Sequence, residues 1–339
     1  MKTLCTLFAI TLLASAGLRA ETLTGEMILD GFDVSERDRA ALQNGEVLAF
    51  DGEEYESTAR ELAADATVLV DSSIAEILDQ VDDVPSIIPD KYLIEFVDVS
   101  SPADFEQVAF SDGEFDEADA LLKARAGKDF NFSDGELQRI GALNKGARSR
   151  ADRLAAASTA LREILVNRYN AYQEKGLDGI GDYQRSKRKA ISIGRDLRLT
   201  TETLEPFSPY YPEYYRVLSS YPAGASCCEH IFRLIKAKIR KRPTWALSHT
   251  IIQSTDNFLL ITERHYYVTH TLNNVQVTMS WVPWDEDTQM GLAVSASTDI
   301  LDSMMGRMLR PLGRNKARDL VSDMMTEVRD ELQTEASGE

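Results

Sequence analysis

The chain has 339 residues, of which 43% are hydrophobic and 27% are charged, and its formal net charge at pH 7 is −18. This is the composition of an ordinary globular protein, and it excludes a collagen-like or disordered chain. Because so acidic a chain repels phosphate backbones, the charge balance argues against a general nucleic-acid binder.

The first 20 residues have the pattern of a targeting segment. Lys2 precedes an apolar run over residues 4–13, and small residues follow at 14–16 and at Ala20. A basic start, a short apolar stretch and small residues at a cleavage site are typical of a secretory signal peptide, and the run is too short to span a bilayer. We therefore predict a signal peptide over residues 1–20 and a secreted protein, with the periplasm as its location. A buried N-terminal helix is the alternative.

Residues 59–133 predict strands that flank a short helix. A strand is expected over residues 64–70, and a helix with Ile74, Ile77 and Leu78 on one face is expected over residues 74–81. Alternating apolar residues predict a second strand over residues 91–99, and a further strand is expected near residues 105–110.

A helical segment follows. Ser133 and Glu136 have the spacing of a capping box, which predicts that a helix begins there. The strongest helical periodicity covers residues 151–175, and Gly176 is placed to end that helix. Another helix is expected at about residues 225–241, before Pro243.

The last hundred residues predict an antiparallel meander followed by a long helix. Strands are expected over residues 245–254, 258–272, 275–283 and 290–297, with a two-residue hairpin turn at Asn273-Asn274. If Leu272 pairs with Val275, the residues that share one face of the sheet are Tyr266, Val268, Leu272, Val275, Val277, Met279 and Trp281. The final helix is expected to run from Thr298-Asp299 to about Gln333, with a kink or break marked by Pro311 and Gly313.

This order of elements, carried by residues 64–99 and 262–332, resembles the helix-grip fold of the START and polyketide-cyclase-like superfamily. The resemblance implies an α+β fold in which a curved antiparallel sheet wraps on a long C-terminal helix, with an apolar cavity between them. It also implies a domain organisation. Residues 21–133 and 243–335 form the two halves of one START-like domain, and residues 134–242 form a helical insertion.

A second resemblance is to a family of uncharacterised secreted bacterial proteins. The positions that carry it are Tyr169, Tyr172, Gly176, Tyr183, Tyr221-Pro222, Pro243 and Leu247-Ser248-His249. The chain departs from that pattern at Ile231-Phe232-Arg233, where aromatic residues are expected. This family implies no activity for the chain.

Aromatic and aliphatic residues of the meander are the candidate ligand-binding residues. Apolar walls with a few polar groups suit a lipid or another hydrophobic molecule. The candidates are Trp245, Tyr266, Val268, Met279 and Trp281. An ordinary hydrophobic core is the alternative explanation for these side chains.

All four histidines lie between residues 230 and 270. His265 and His270 are five residues apart, so on a regular strand they point to opposite faces, and converging zinc ligands are not expected. We predict no metal and no cofactor. His249 is the one candidate acid or base, because the predicted hairpin brings it near Arg264 and Tyr266. Cys227 and Cys228 are either a strained disulfide or two packed free thiols.

These observations favour a protein that binds a hydrophobic or lipid-like molecule without transforming it. One alternative is a cyclase- or hydrolase-type enzyme that uses the same cavity with His249 as acid or base. Another is an envelope interaction protein, since residues 141–240 carry 18 basic and 10 acidic side chains and could make peripheral contact with anionic lipids. The sequence leaves the ligand's identity and the oligomeric state open.

Overall fold

The computed structural model describes residues 23–31, 34–52, 56, 58, 61–82, 88, 91–127, 130–286, 288–299 and 304–337. The predicted signal peptide lies outside these residues. Within the described part, helices combine with one large antiparallel sheet, which confirms the predicted α+β class.

The strands, in chain order, are β1 Leu48–Asp51, β2 Glu61–Val70, β3 Leu93–Asp98, β4 Tyr183–Ser186, β5 Lys189–Ile191, β6 Glu229–Ile239, β7 Arg242–Thr255, β8 Phe258–Val268, β9 Leu272–Pro283 and β10 Gln289–Asp299. Eight of them form the main sheet in the order β1-β2-β10-β9-β8-β7-β6-β3, and β4 pairs with β5 in a separate ribbon. Every pairing in the main sheet is antiparallel. The meander β6–β10 therefore occupies the middle of the sheet. Strands β2 and β3, which flank the short helix Ile74–Asp82 in the chain, lie toward opposite ends of the sheet.

The helices are α1 Gly25–Gly31, α2 Glu36–Gln43, α3 Ile74–Asp82, α4 Phe115–Leu122, α5 Asp134–Gly146, α6 Arg150–Lys175, α7 Ile193–Glu202, α8 Pro212–Ser220 and α9 Met304–Ser337. Helices α4–α8, which we call the helical block, share a hydrophobic core with one face of the sheet. Helices α3 and α9 pack on the other face. Helices from different parts of the chain thus pack on both faces of the sheet, while the edge strand β3 stays largely exposed.

Helix α9 approaches the sheet most closely over β2. Val321, Met325 and Leu332 recur at helical spacing, and each is at most 3% exposed. They belong to the same core as Ala64 and Ala66 of β2, which are fully buried. Because alanine side chains are small, the helix can lie close to the strand there.

Several predicted elements are confirmed. Strands β2, β3, β7, β9 and β10 and helices α3, α5, α6 and α9 lie where the sequence places them. The Ser133–Glu136 capping box is present, with Ser133 accepting from the backbone N–H of Glu136. Helix α6 ends at Gly176, whose φ of 56° favours glycine.

Two predictions are wrong, and a third is wrong in part. Residues 229–239 form strand β6 instead of a helix, because they pair along their whole length with β7. Residues near 105–110 form no strand; a 3₁₀ turn covers Pro102–Phe105 instead. Helix α9 continues through Pro311, so the alternative of a break there is wrong, and the alternative of a kink stays a prediction.

Candidate functional site

A cavity of about 630 Å³ lies between the sheet and helix α9. Small-molecule sites in proteins commonly have volumes of roughly 300–1,000 Å³. The apolar walls of the cavity in this protein come from β6–β9, from α9 and from the segment before β3. These side chains are Ile88, Tyr92, Ala237, Ile239, Ala246, Val268, Leu272, Val275, Val277, Leu320, Val321 and Met324. The enclosed volume is therefore suited to an apolar guest.

The packing of α9 explains why a cavity forms at this place. The helix packs chiefly on β1, β2 and β10, at one end of the sheet. The same face of the sheet continues across β9, β8, β7 and β6. Apolar side chains on those strands, such as Val277 and Val268, face the cavity, which α9 lines on one side but does not fill.

A buried acid–histidine pair lies beside the cavity. Nε2 of His265, which lines the cavity, is 2.5 Å from Oε1 of Glu263, and the two residues are 3% and 6% exposed. They are two residues apart on β8 and therefore share a face. Ser248 on β7 is directly opposite His265, and its buried Oγ has no hydrogen-bond partner among the described residues. The mostly apolar cavity thus has a polar patch in its wall, in addition to Thr244 and Ser295 elsewhere in the lining.

The opening of the cavity carries basic side chains. Lys91 precedes β3, Lys238 is near the end of β6, and Arg240 and Lys241 form the turn into β7. All four are exposed. We call these four residues the basic rim.

The structure brings together only part of the predicted ligand-binding set. Val268 lines the cavity. Met279 and Trp281 lie on the same face of the sheet, in the core that α9 covers, and are 9% and 0% exposed. Trp245 and Tyr266 lie on the opposite face, in the core shared with the helical block.

The pairing of β8 with β9 explains the position of Tyr266. The predicted pairing of Leu272 with Val275 is wrong, because Val275 pairs with His265 and Trp281 pairs with Leu259. A shift by an odd number of residues turns every side chain of a strand to the other face. The pairing of β8 with β7 also shifts in register, at Tyr266. Because of this second shift, the side chain of Val268 lies on the face of the sheet that borders the cavity.

His249 also lies on the face opposite the cavity, and it is fully buried. Its Nδ1 is 2.9 Å from the hydroxyl of Tyr172, and its Nε2 is 2.8 Å from Nδ1 of His230. Nε2 of His230 is 2.8 Å from the carbonyl oxygen of Ala225. Burial first, and then the neighbouring Arg264 and His230 side chains, hold the pKa of His249 well below its ordinary value.

Which group donates and which accepts in each of these hydrogen bonds follows from the last partner, the carbonyl oxygen of Ala225. The Ala225 carbonyl can only accept, so His230 donates to it from Nε2. A neutral His230 then accepts at Nδ1 from His249, and a neutral His249 accepts at Nδ1 from Tyr172. The Tyr172 oxygen in turn accepts from Arg264 at 3.4 Å. Every member is satisfied with both imidazoles neutral, and burial favours the neutral form of His249.

The contribution of β6 to the cavity was missed in the sequence. Residues 235–240 alternate between apolar and basic side chains. The apolar Ala237 and Ile239 line the cavity, and the basic Lys238 and Arg240, which also border it, are exposed. A period of two is the signal of a strand with one face in contact with a core, and it would have identified both the strand and the rim.

Further features bear on the remaining expectations. Cys227 and Cys228 are free thiols. The described residues contain no group of three or more His, Cys, Asp or Glu side chains arranged to hold a metal ion. Among the helices that the structure describes, none is long and apolar enough to cross a membrane.

Neither a protein-family model, nor a curated protein, nor a solved structure matches this chain.

Proposed function

We propose that this protein binds a hydrophobic, lipid-like molecule in the cavity between its sheet and helix α9, without transforming it. The observation that carries the proposal is the apolar cavity of about 630 Å³. Each methylene group moved from water into such a volume contributes about 0.8 kcal/mol, so an alkyl chain of moderate length supplies the free energy of useful affinity.

The proposal includes a START-like helix-grip fold and a secreted location. The fold is supported by strands β2 and β3, which flank α3 and lie toward opposite ends of the meander, and by the long helix α9 on one face. The cavity is where the helix-grip resemblance implies one. The location rests on the predicted signal peptide alone.

The test is a titration of the full chain with a fluorescent long-chain fatty acid, together with native mass spectrometry after gentle purification. Leu320 lines the cavity and is 44% exposed, whereas Leu312 is 56% exposed on the same helix and does not line it. We expect Leu320→Trp to fill part of the cavity and weaken binding, and Leu312→Trp to leave binding unchanged. Equal effects of the two variants, or no binding by the wild type, would contradict the proposal.

A second candidate function is acid–base chemistry on the bound molecule. The observation that favours it is the Glu263–His265 pair beside the cavity, since a histidine oriented by a carboxylate is a common general base. His249 lies on the face of the sheet opposite the cavity, so in this second candidate function the acid or base is His265. Ligands recovered from the wild type and from His265→Gln would differ in mass if the pair transforms its ligand, and would be identical if it does not.

A further inference from the structure

The basic rim stands out against the charge of the whole protein. The chain carries a formal net charge of −18, yet four basic residues line the apolar cavity beside α9 and are exposed. A cluster of one sign at the mouth of an apolar volume attracts ligands of the opposite sign. The following inference rests on the proposed function and concerns the charge of the ligand.

Neighbouring basic residues are already paired with acids. Arg233 lies 2.9 Å from Asp98, and Arg242 lies 2.7 Å from Glu117. By contrast, Lys91, Lys238 and Lys241 have no carboxylate within 4.0 Å among the described residues. Three cations of the rim are therefore available to an external anion.

The backbone of the rim is held in a defined position. The N–H of Lys238 donates to the carbonyl of Tyr92 at 2.7 Å, which joins the segment before β3 to β6. Arg240 and Lys241 have φ values of 50° and 68°, so both occupy the left-handed region in the two-residue turn. Asn and Gly are the residues that such turns favour. The geometry of the turn therefore does not explain why two long cationic side chains, Arg240 and Lys241, occupy these positions.

The inner wall of the cavity indicates which way a charged ligand lies. The buried acidic side chain beside that wall is Glu263, which is paired with His265, and a carboxylate there repels an anion. The cations are all at the opening. We infer that the ligand is an anionic amphiphile, whose alkyl chain occupies the cavity and whose carboxylate or phosphate lies at the basic rim, where Lys91, Lys238 and Lys241 are available to it.

The test compares palmitate, hexadecanol, palmitoyl lysophosphatidate and inorganic phosphate by calorimetric titration of the full chain. The rim variant is Lys238→Glu/Arg240→Glu/Lys241→Glu. Its control is Lys187→Glu/Arg188→Glu/Lys189→Glu, which makes the same change of net charge at three exposed positions at the β4–β5 ribbon. We expect the wild type and the control to bind the two anionic amphiphiles about tenfold more tightly than hexadecanol. The rim variant should lose that preference and keep its affinity for hexadecanol, and salt should weaken only the anionic ligands.

The possible failures are distinguishable. If palmitate and hexadecanol bind equally and the rim variant binds both normally, the inference is overturned and the proposed function stands. If inorganic phosphate binds the rim as tightly as the lysophosphatidate does, the rim is a site for a free anion and the inference is again overturned. Loss of binding to anionic vesicles by the rim variant, with unchanged affinity for free palmitate, would make the rim a membrane contact instead. If no amphiphile binds the wild type, the proposed function fails, and the inference fails with it.

Discussion

The hydroxyl of Tyr172 on α6 donates to Nδ1 of His249 on β7 across 2.9 Å, and this bond joins the longest helix of the helical block to the middle of the sheet. Both residues are fully buried. The bond requires an unprotonated Nδ1, so the folded protein holds His249 neutral. Protonation of this ring would cost the bond as well as the burial of a charge.

This arrangement predicts that stability falls in weak acid. The pKa of His249 is lowered in the folded state, so the unfolded chain takes up a proton first as pH falls below about 6.5. The contribution is fully present above pH 6.5, and it is lost as pH falls toward the folded-state pKa. The free energy of unfolding of the wild type should therefore decrease by about 1.4 kcal/mol per pH unit more than that of His249→Gln. Urea unfolding at several pH values between 5 and 7 checks this, and parallel pH profiles would contradict it.

A second prediction concerns two ion pairs that join α5 to α6. Arg168 donates from Nε and Nη2 to both carboxylate oxygens of Glu136, at 2.8 Å each, and its side chain is 6% exposed. Removing one partner of a buried pair leaves an uncompensated charge, so Glu136→Gln should lower the free energy of unfolding by about 3–5 kcal/mol.

The matched control is the pair between Arg139 and Glu163, which joins the same two helices but is 54% and 37% exposed. Exposed pairs contribute little, because water and salt screen them. Glu163→Gln should therefore leave the midpoint of guanidinium unfolding almost unchanged. Similar losses in the two variants would show that burial does not govern these pairs.

Glu136 also shows what local sequence can and cannot indicate. Its role at the start of α5 is predictable, since Ser133 and Glu136 have the spacing of a capping box. Its ion pair is not, since Arg168 is 32 residues away. The helix start depends on neighbours in the chain, whereas the ion pair depends on how two helices pack.

The same distinction explains the β8–β9 register. Asn273-Asn274 fits a two-residue turn locally, but side chains from the segment before α5 and from β4 hold this connection by other means. Asn131 donates to the carbonyls of Val268 and Leu272, and Tyr183 donates to the carbonyl of Asn273. These bonds come from segments roughly 90–140 residues away, so the turn residues alone could not give the register.

The cavity was predictable in position but not in its lining. The order of strands and the final helix places apolar strand residues beneath a helix, and the structure has that arrangement. The lining depends on register, on the irregularity at Tyr266 and on the strand identity of β6. Residues 231–235 contain apolar side chains at spacings that fit a helix as well as a strand, so within this segment the pairing with β7, or the alternation that follows over residues 235–240, is needed to decide between them.

A third prediction concerns Gly291 on β10, which is directly opposite Trp281 on β9. A Cβ atom at Gly291 would overlap the indole ring of Trp281, which is fully buried beneath α9. Because neither the ring nor the strand can move far, Gly291→Ala should lower the free energy of unfolding by about 1–3 kcal/mol.

The control for that variant is Gly141→Ala in helix α5, where an added Cβ has no neighbour within 4 Å. Alanine loses less conformational entropy than glycine in a helix, so this change should stabilise the protein by about 0.5–1 kcal/mol. Thermal unfolding followed by circular dichroism gives both values. A stable Gly291→Ala protein would mean that the indole ring has room to shift.

The last prediction tests how the β8–β9 connection is held. Asn131 is fully buried, and its side-chain amide donates at 2.9 Å to the carbonyl of Val268 and at 2.7 Å to that of Leu272. Asn131→Ala leaves both carbonyls without these donors, and each unsatisfied buried acceptor costs about 1–3 kcal/mol. The free energy of unfolding should therefore fall by about 2–5 kcal/mol, whereas Asn170→Ala, at an exposed position in α6, should not lower it. Hydrogen exchange adds a local readout, since loss of this anchor should speed exchange in the connection between β8 and β9. Unchanged exchange there, with unchanged stability, would show that the strands themselves set the register.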